Sequence, residues 1–222
     1  MSSTSGIDKK KIPFVTYYSE NNISPVAQDV SDIRKHMERR DSLYRHLGIP
    51  SNLVRDKSII EFGPGSGHNS IHTLHLNPRR YVLVEGNPSG LDSVKELLTP
   101  LAGSAQVEFV QSLIEDYRSA QKFDIVLCEG VIPLQLDPEN FTKHVASFVN
   151  DGGILVITCT DSISLASEVI RKICTALLID DSLSIEEKIE ILLPVFTPHL
   201  DTLKGISRFY RDWILDVLLH DW

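Results

Sequence analysis

Along the middle of the chain, short apolar runs recur at Ile59-Ile60, Tyr81–Val84, Val107–Val110, Phe123–Cys128 and Ile154–Ile157. Between them, apolar residues fall at helical spacing. Near-continuous apolar strands alternating with helical stretches predict a parallel sheet covered by helices on both faces. Glycines at 152 and 153 turn the chain into the fifth strand, Ile154–Thr158. Ahead of the first strand, Val30, Ile33, Met37, Tyr44 and Leu47 have the spacing of one helical face, stopped by Gly48 and Pro50. The opposite face carries Arg34, Arg39, Arg40 and Arg45.

After the fifth strand the pattern is helical almost throughout. One helix is expected over about 163–178. A second follows Ser184, with Glu186 and Glu187 in its first turn and Pro194 after its end. The last contains Phe209, Trp213, Leu215 and Val217–Leu219 and runs apolar towards Trp222.

The first strand ends in the most informative segment, Ile-Ile-Glu-Phe-Gly-Pro-Gly-Ser-Gly at 59–67. Glycines in a strand-to-helix turn adopt backbone angles that other residues avoid, and they let a ligand approach the main chain. In the dinucleotide fingerprint G-x-G-x-x-G the third glycine would stand at position 68, which is His68 here; the third glycine comes one residue early, at Gly67. The acid Glu61 would oppose a pyrophosphate but suits a cationic ligand. A second acid, Glu85, ends the second strand, 85 − 61 = 24 residues later, with Asn87-Pro88 opening the next helix.

E-x-G-x-G-x-G followed by these ordered acids resembles the class I S-adenosylmethionine-dependent methyltransferase family over roughly residues 50 to 160, with Asp124 in Phe-Asp-Ile-Val matching the family's usual acid there. The resemblance implies an α/β, doubly wound parallel sheet of order 3-2-1-4-5, a Rossmann-like fold, with S-adenosylmethionine as cofactor. By it, Glu61 faces the methionine ammonium, and Gly63, Pro64, Gly65 and Gly67 form the cradle. His68 lies near the methionine carboxylate. Glu85, with Gly86 and Asn87 beside it, accepts from the ribose hydroxyls. Ser112 and Leu113 meet the adenine. Glu129 stands at the acceptor side as donor-edge ligand, general base or amine-orienting group. Tyr17, Tyr18, Arg34 and His199 are candidates for the acceptor pocket. The family's edge hairpin is not visible here. The fifth strand therefore becomes a bare edge, expected to be covered by the C-terminal helices, by a second copy of the chain, or by both. The apolar last helix suggests that the hairpin belongs to a longer chain.

These signals divide the chain into a polar start and helical cap (1–50), a donor-binding core (51–161) and a helical C-terminal region (162–222). With 222 residues, 42% hydrophobic and 23% charged, one core is sufficient. A formal net charge of −8 argues against nucleic acid as partner. No apolar run approaches the ~20 residues of a membrane helix, and Cys128, Cys159 and Cys174 form no disulfide framework. A cytoplasmic enzyme acting on a small-molecule acceptor is the resulting expectation. A nicotinamide oxidoreductase and a donor-binding module of a larger biosynthetic protein are the rivals. His68, His72 and His75 share a helical face, but without the acid of H-E-x-x-H they do not read as a metal site.

Overall fold

The computed structural model describes residues 28–203 and 208–219. Five strands, β1 (Ser58–Phe62), β2 (Arg80–Glu85), β3 (Gln106–Gln111), β4 (Phe123–Cys128) and β5 (Val149–Ile157), form one parallel sheet of order β3-β2-β1-β4-β5. Parallel neighbours require crossover connections, and helices supply most of them. They are α1 (Ile33–His46, ahead of the sheet), α2 (Ser70–His75), α3 (Pro88–Leu98), α4 (Pro138–Ala146), α5 (Ser162–Leu178), α6 (Ile185–Thr202) and α7 (Tyr210–Trp213), the last continued by a π turn at Ile214–Leu218. This is the Rossmann-like methyltransferase architecture implied by the motif order.

Alternation along each central strand divides its side chains between the two faces. Ile59, Leu83 and Leu127 join one core; Ile60, Val82, Val84 and Val126 join the other. Two elements begin as the sequence requires. Asn87 accepts from Ser89 N with Pro88 at the first helical position, and Ser184 with Glu187 forms a capping box on α6.

Four expectations need correction. Helix α6 does not stop before Pro194 but runs through Pro194 and Pro198. Its stripe Ile189, Leu192, Phe196 and Leu200 is buried against Trp213, Ile214 and Leu218, and that packing outweighs the lost backbone donors. On α1 only part of the expected apolar face is buried: Tyr44 is, but Ile33 and Leu47 are 47% and 49% exposed, and His36 and Arg40 are buried beside Tyr44 in their place. These three sit four residues apart and find polar partners just after the glycine turn (His68), at the β4 tip (Glu129) and on α2 (Thr73). The helix after the glycine turn begins at Ser70 rather than His68. Strand β5 starts earlier than Ile154, with a register irregularity against β4 between Phe123 and Ile125.

Among the described residues no further strand pairs with β5. Along it only Val156 is buried. The C-terminal helices form a third core of their own. No helix among the described residues is long and apolar enough to cross a membrane.

Candidate donor site and its acceptor side

Because the sheet is parallel, the carboxyl ends of β1, β2, β3 and β4 open on one edge, and there the chain places Glu61–Gly67, Glu85–Asn87, Ser112-Leu113 and Glu129. The turn after β1 holds Gly63, Gly65 and Gly67 at φ of +70°, +58° and +81°. Gly67 also permits close packing: a Cβ there would lie 2.4 Å from Val94 Cγ2 of α3. A Cβ on Gly63 would lie 2.7 Å from Val131 Cγ2, in the segment after β4.

Glu61 is 7% exposed. It accepts hydrogen bonds from Ser70 Oγ at 2.8 Å and from the Tyr81 hydroxyl. Burial pushes its carboxyl up to about 7, against the lowering effect of those bonds. Glu85 is 8% exposed and accepts from Gly65 N at 2.9 Å and Asn87 N at 2.8 Å. Burial raises its pKa while these backbone donors pull it back. The β2 acid therefore braces the glycine turn, and each of its oxygens keeps a lone pair for further donors. Ser112 Oγ donates to Leu113 O at 2.8 Å, and Leu113 packs against the backbone of Gly86. His68 lies beside the turn, with Nδ1 2.6 Å from Ser66 Oγ.

Glu129 meets a residue the sequence reading had placed elsewhere. Arg40 donates from both terminal nitrogens to its two carboxylate oxygens, at 2.8 and 2.7 Å. The guanidinium stacks over Tyr44, whose hydroxyl pairs with Thr73 Oγ1 at 3.1 Å. His36 Nε2 lies 2.9 Å from the carbonyl oxygen of His68. Helix α1 thus touches both the glycine turn and the β4 tip. Arginines on a helix read as solvated by default, and only the four-residue spacing of His36, Arg40 and Tyr44 could have marked this stripe.

Residues matching the family described as "Methyltransferase domain" run from 53 to 188, more than half the chain and all five strands. The chain belongs to that family. This methyltransferase is 24% identical to the tRNA U34 carboxymethyltransferase of Helicobacter hepaticus over 85% of its own length and 67% of that protein's. It also resembles the magnesium protoporphyrin IX methyltransferase of Synechocystis solved with bound S-adenosylhomocysteine, at TM-score 0.52 and 16% identity over 70% of this chain and 76% of that one. The methyltransferase uses S-adenosylmethionine, and the nicotinamide reading falls with the family assignment. The cradle fits that donor: bare glycine backbone for close approach, and carboxylates for an ammonium and for ribose hydroxyls.

Other candidates lie apart. Arg34 is exposed and lines an outer groove with Ile71, His75 and Leu97, on a flank of α1 away from Arg40. His199 accepts from Arg171 Nε at 3.2 Å within the C-terminal helices. Tyr17 and Tyr18 lie outside the described residues. His72 is buried beside Tyr44 and bonds Asp41. No group of three or more His, Cys, Asp or Glu among the described residues is placed to hold a metal ion.

Proposed function

We propose that the methyltransferase transfers a methyl group to a small organic acceptor, with Glu61, the 63–67 turn, Glu85–Asn87 and Ser112-Leu113 holding the donor. The observation that carries the donor half is the convergence of Glu61, Glu85 and Glu129 on one sheet edge around a glycine turn. S-adenosylmethionine supplies an electrophilic methyl on a sulfonium; the acceptor's lone pair forms the new bond as the carbon–sulfur pair returns to sulfur. The protein's share is to align the two and to exclude water. Glu129, with both oxygens held by Arg40, suits the orienting of an acceptor N–H or O–H better than carrying its proton, since protonation would weaken two charge-assisted bonds.

The small-molecule half rests on the charge of −8, which opposes a polyphosphate surface. A tRNA acceptor is the second reading, suggested by the Helicobacter relative's name. Incubating the protein with radiolabelled S-adenosylmethionine and either a metabolite extract or total tRNA separates them. Label in the metabolite fraction supports the proposal, and label confined to tRNA overturns it. We also read 51–161 as the donor-binding core and the residues beyond it as acceptor-side structure.

A further inference from the structure

A surface helix ordinarily buries its apolar stripe and wets its polar one. Helix α5 does the reverse. Its polar side faces the protein: Arg171 Nε bonds His199 of α6 at 3.2 Å, the guanidinium stacks over Trp213, and Thr175 is 3% exposed. Its apolar side faces outward. Ile163, Ile170, Ile173 and Leu177 are 85%, 61%, 55% and 82% exposed, and Ala166 among them is exposed as well. None of the five joins any of the three cores formed by the described residues. Soluble monomers rarely leave so long an apolar stripe in water.

The spacing of the stripe identifies its occupant. Positions 163, 166, 170, 173 and 177 are three, four, three and four residues apart. That is the a/d repeat by which one helix packs lengthwise against another carrying the same repeat. In such pairs the charges at the flanking e and g positions choose the partner. Here those positions are Ser167, Val169, Cys174 and Ala176, and none is charged. The face therefore carries no signal for a different chain and meets no repulsion from its own copy, despite a net charge of −8. A membrane surface fits less well, because it calls for bases exposed beside the apolar stripe. The two bases of α5, Arg171 and Lys172, are partly buried, and Arg171 is held inward by His199.

We propose that α5 is a homodimer interface. Two copies pair about a two-fold axis, each laying the Ile163–Leu177 stripe along that of the other, so that one self-complementary patch serves both. The seam is only two heptads long and offers several hundred Å² per copy, against about 800 Å² for a standard interface. The dimer is therefore reversible and concentration-dependent. It leaves the donor cradle open, since no residue of α5 belongs to the cradle.

Sedimentation velocity of the 222-residue chain across a broad concentration range tests this, with the parent passing from monomer to dimer. Ile170→Glu and Ile170→Lys should each weaken dimerisation at least about a hundredfold, because each places an unpaired charge in the seam. Position 170 is exposed in the single chain, so both variants should keep the monomer's thermal midpoint and its affinity for S-adenosylhomocysteine. Mixing the two variants should restore association, since glutamate and lysine then meet across the axis; that recovery is specific to self-pairing. A parent that stays monomeric at every concentration, or a dimer indifferent to both substitutions, would overturn the proposal. So would a monomeric parent that sediments with phosphatidylserine-containing vesicles and loses that binding in Ile170→Glu, which would assign the stripe to a membrane surface.

Discussion

Arg40 and Glu129, 89 positions apart in the chain, form a bidentate ion pair that ties the helix before the sheet to the tip of its fourth strand. The arginine side chain is 6% exposed and the glutamate 22%, so the pair is shielded at one end and reachable at the other. Removing one partner of such a pair strands a charge out of water, which costs more than the pair itself contributes. Glu129→Gln should therefore lower unfolding free energy by about 2–4 kcal/mol. Arg40→Met with Glu129→Gln should recover part of that loss. Urea denaturation of the parent and the two variants measures it; a double variant no more stable than Glu129→Gln alone would argue that Arg40 is not held by this carboxylate.

The second expectation concerns pH. Glu61 has its carboxyl raised from 4.5 to about 7, mainly by burial. An acid raised in the folded state contributes stability that is complete below the unfolded value near 4.5 and is lost as pH climbs through about 7. Glu61→Gln should flatten this slope, so that the variant gains on the parent protein between pH 5 and pH 8 by on the order of 1–3 kcal/mol. Thermal midpoints across that range report it.

Donor binding should run the other way at the same residue. If Glu61 faces the methionine ammonium, its ionised form is the one that binds, and affinity for S-adenosylhomocysteine should rise between pH 6 and pH 8. Glu61→Gln should remove the rise. Calorimetry that finds the same pH profile in both proteins would take Glu61 out of the donor site.

Glu85→Ala removes the acceptor for Gly65 N and Asn87 N, both buried. The turn loses its brace together with the proposed ribose acceptor, and donor affinity should fall by about 2–4 kcal/mol. A variant that folds, as judged by circular dichroism, and binds S-adenosylhomocysteine as tightly as the parent would refute the assignment.

Gly67→Ala and Gly48→Ala separate strain from crowding. Both glycines have positive φ, +81° and +75°. Around Gly48 a Cβ meets nothing within 4 Å, whereas at Gly67 it meets Val94 at 2.4 Å. Gly48→Ala should cost roughly 1 kcal/mol of backbone strain, and Gly67→Ala roughly 2–4 kcal/mol because overpacking adds to it. Chemical denaturation of the pair gives the difference directly.

Much of this architecture was legible in the chain. Strands buried on both faces must be apolar throughout, so β1, β2 and β4 announce themselves, and an acid or glycine at each tip marks where a ligand belongs. What stayed hidden depends on tertiary partners. Arg40 looked like a solvated arginine because its spacing says nothing about a carboxylate 89 residues away. Pro194 looked like a stop because the cost of a proline is local, while the burial of Phe196 and Leu200 that carries α6 past it comes from Trp213 and Ile214.

The separate core of the C-terminal helices bears on how such an enzyme can change over evolutionary time. Ile189, Leu192, Phe196, Leu200, Trp213 and Ile214 bury one another and share no member with the two cores of the sheet. Substitutions there draw on a local reserve of stability and leave the glycine turn and its acids untouched. A lineage could reshape these helices by drift alone, keeping the inherited sheet and its glycine turn intact.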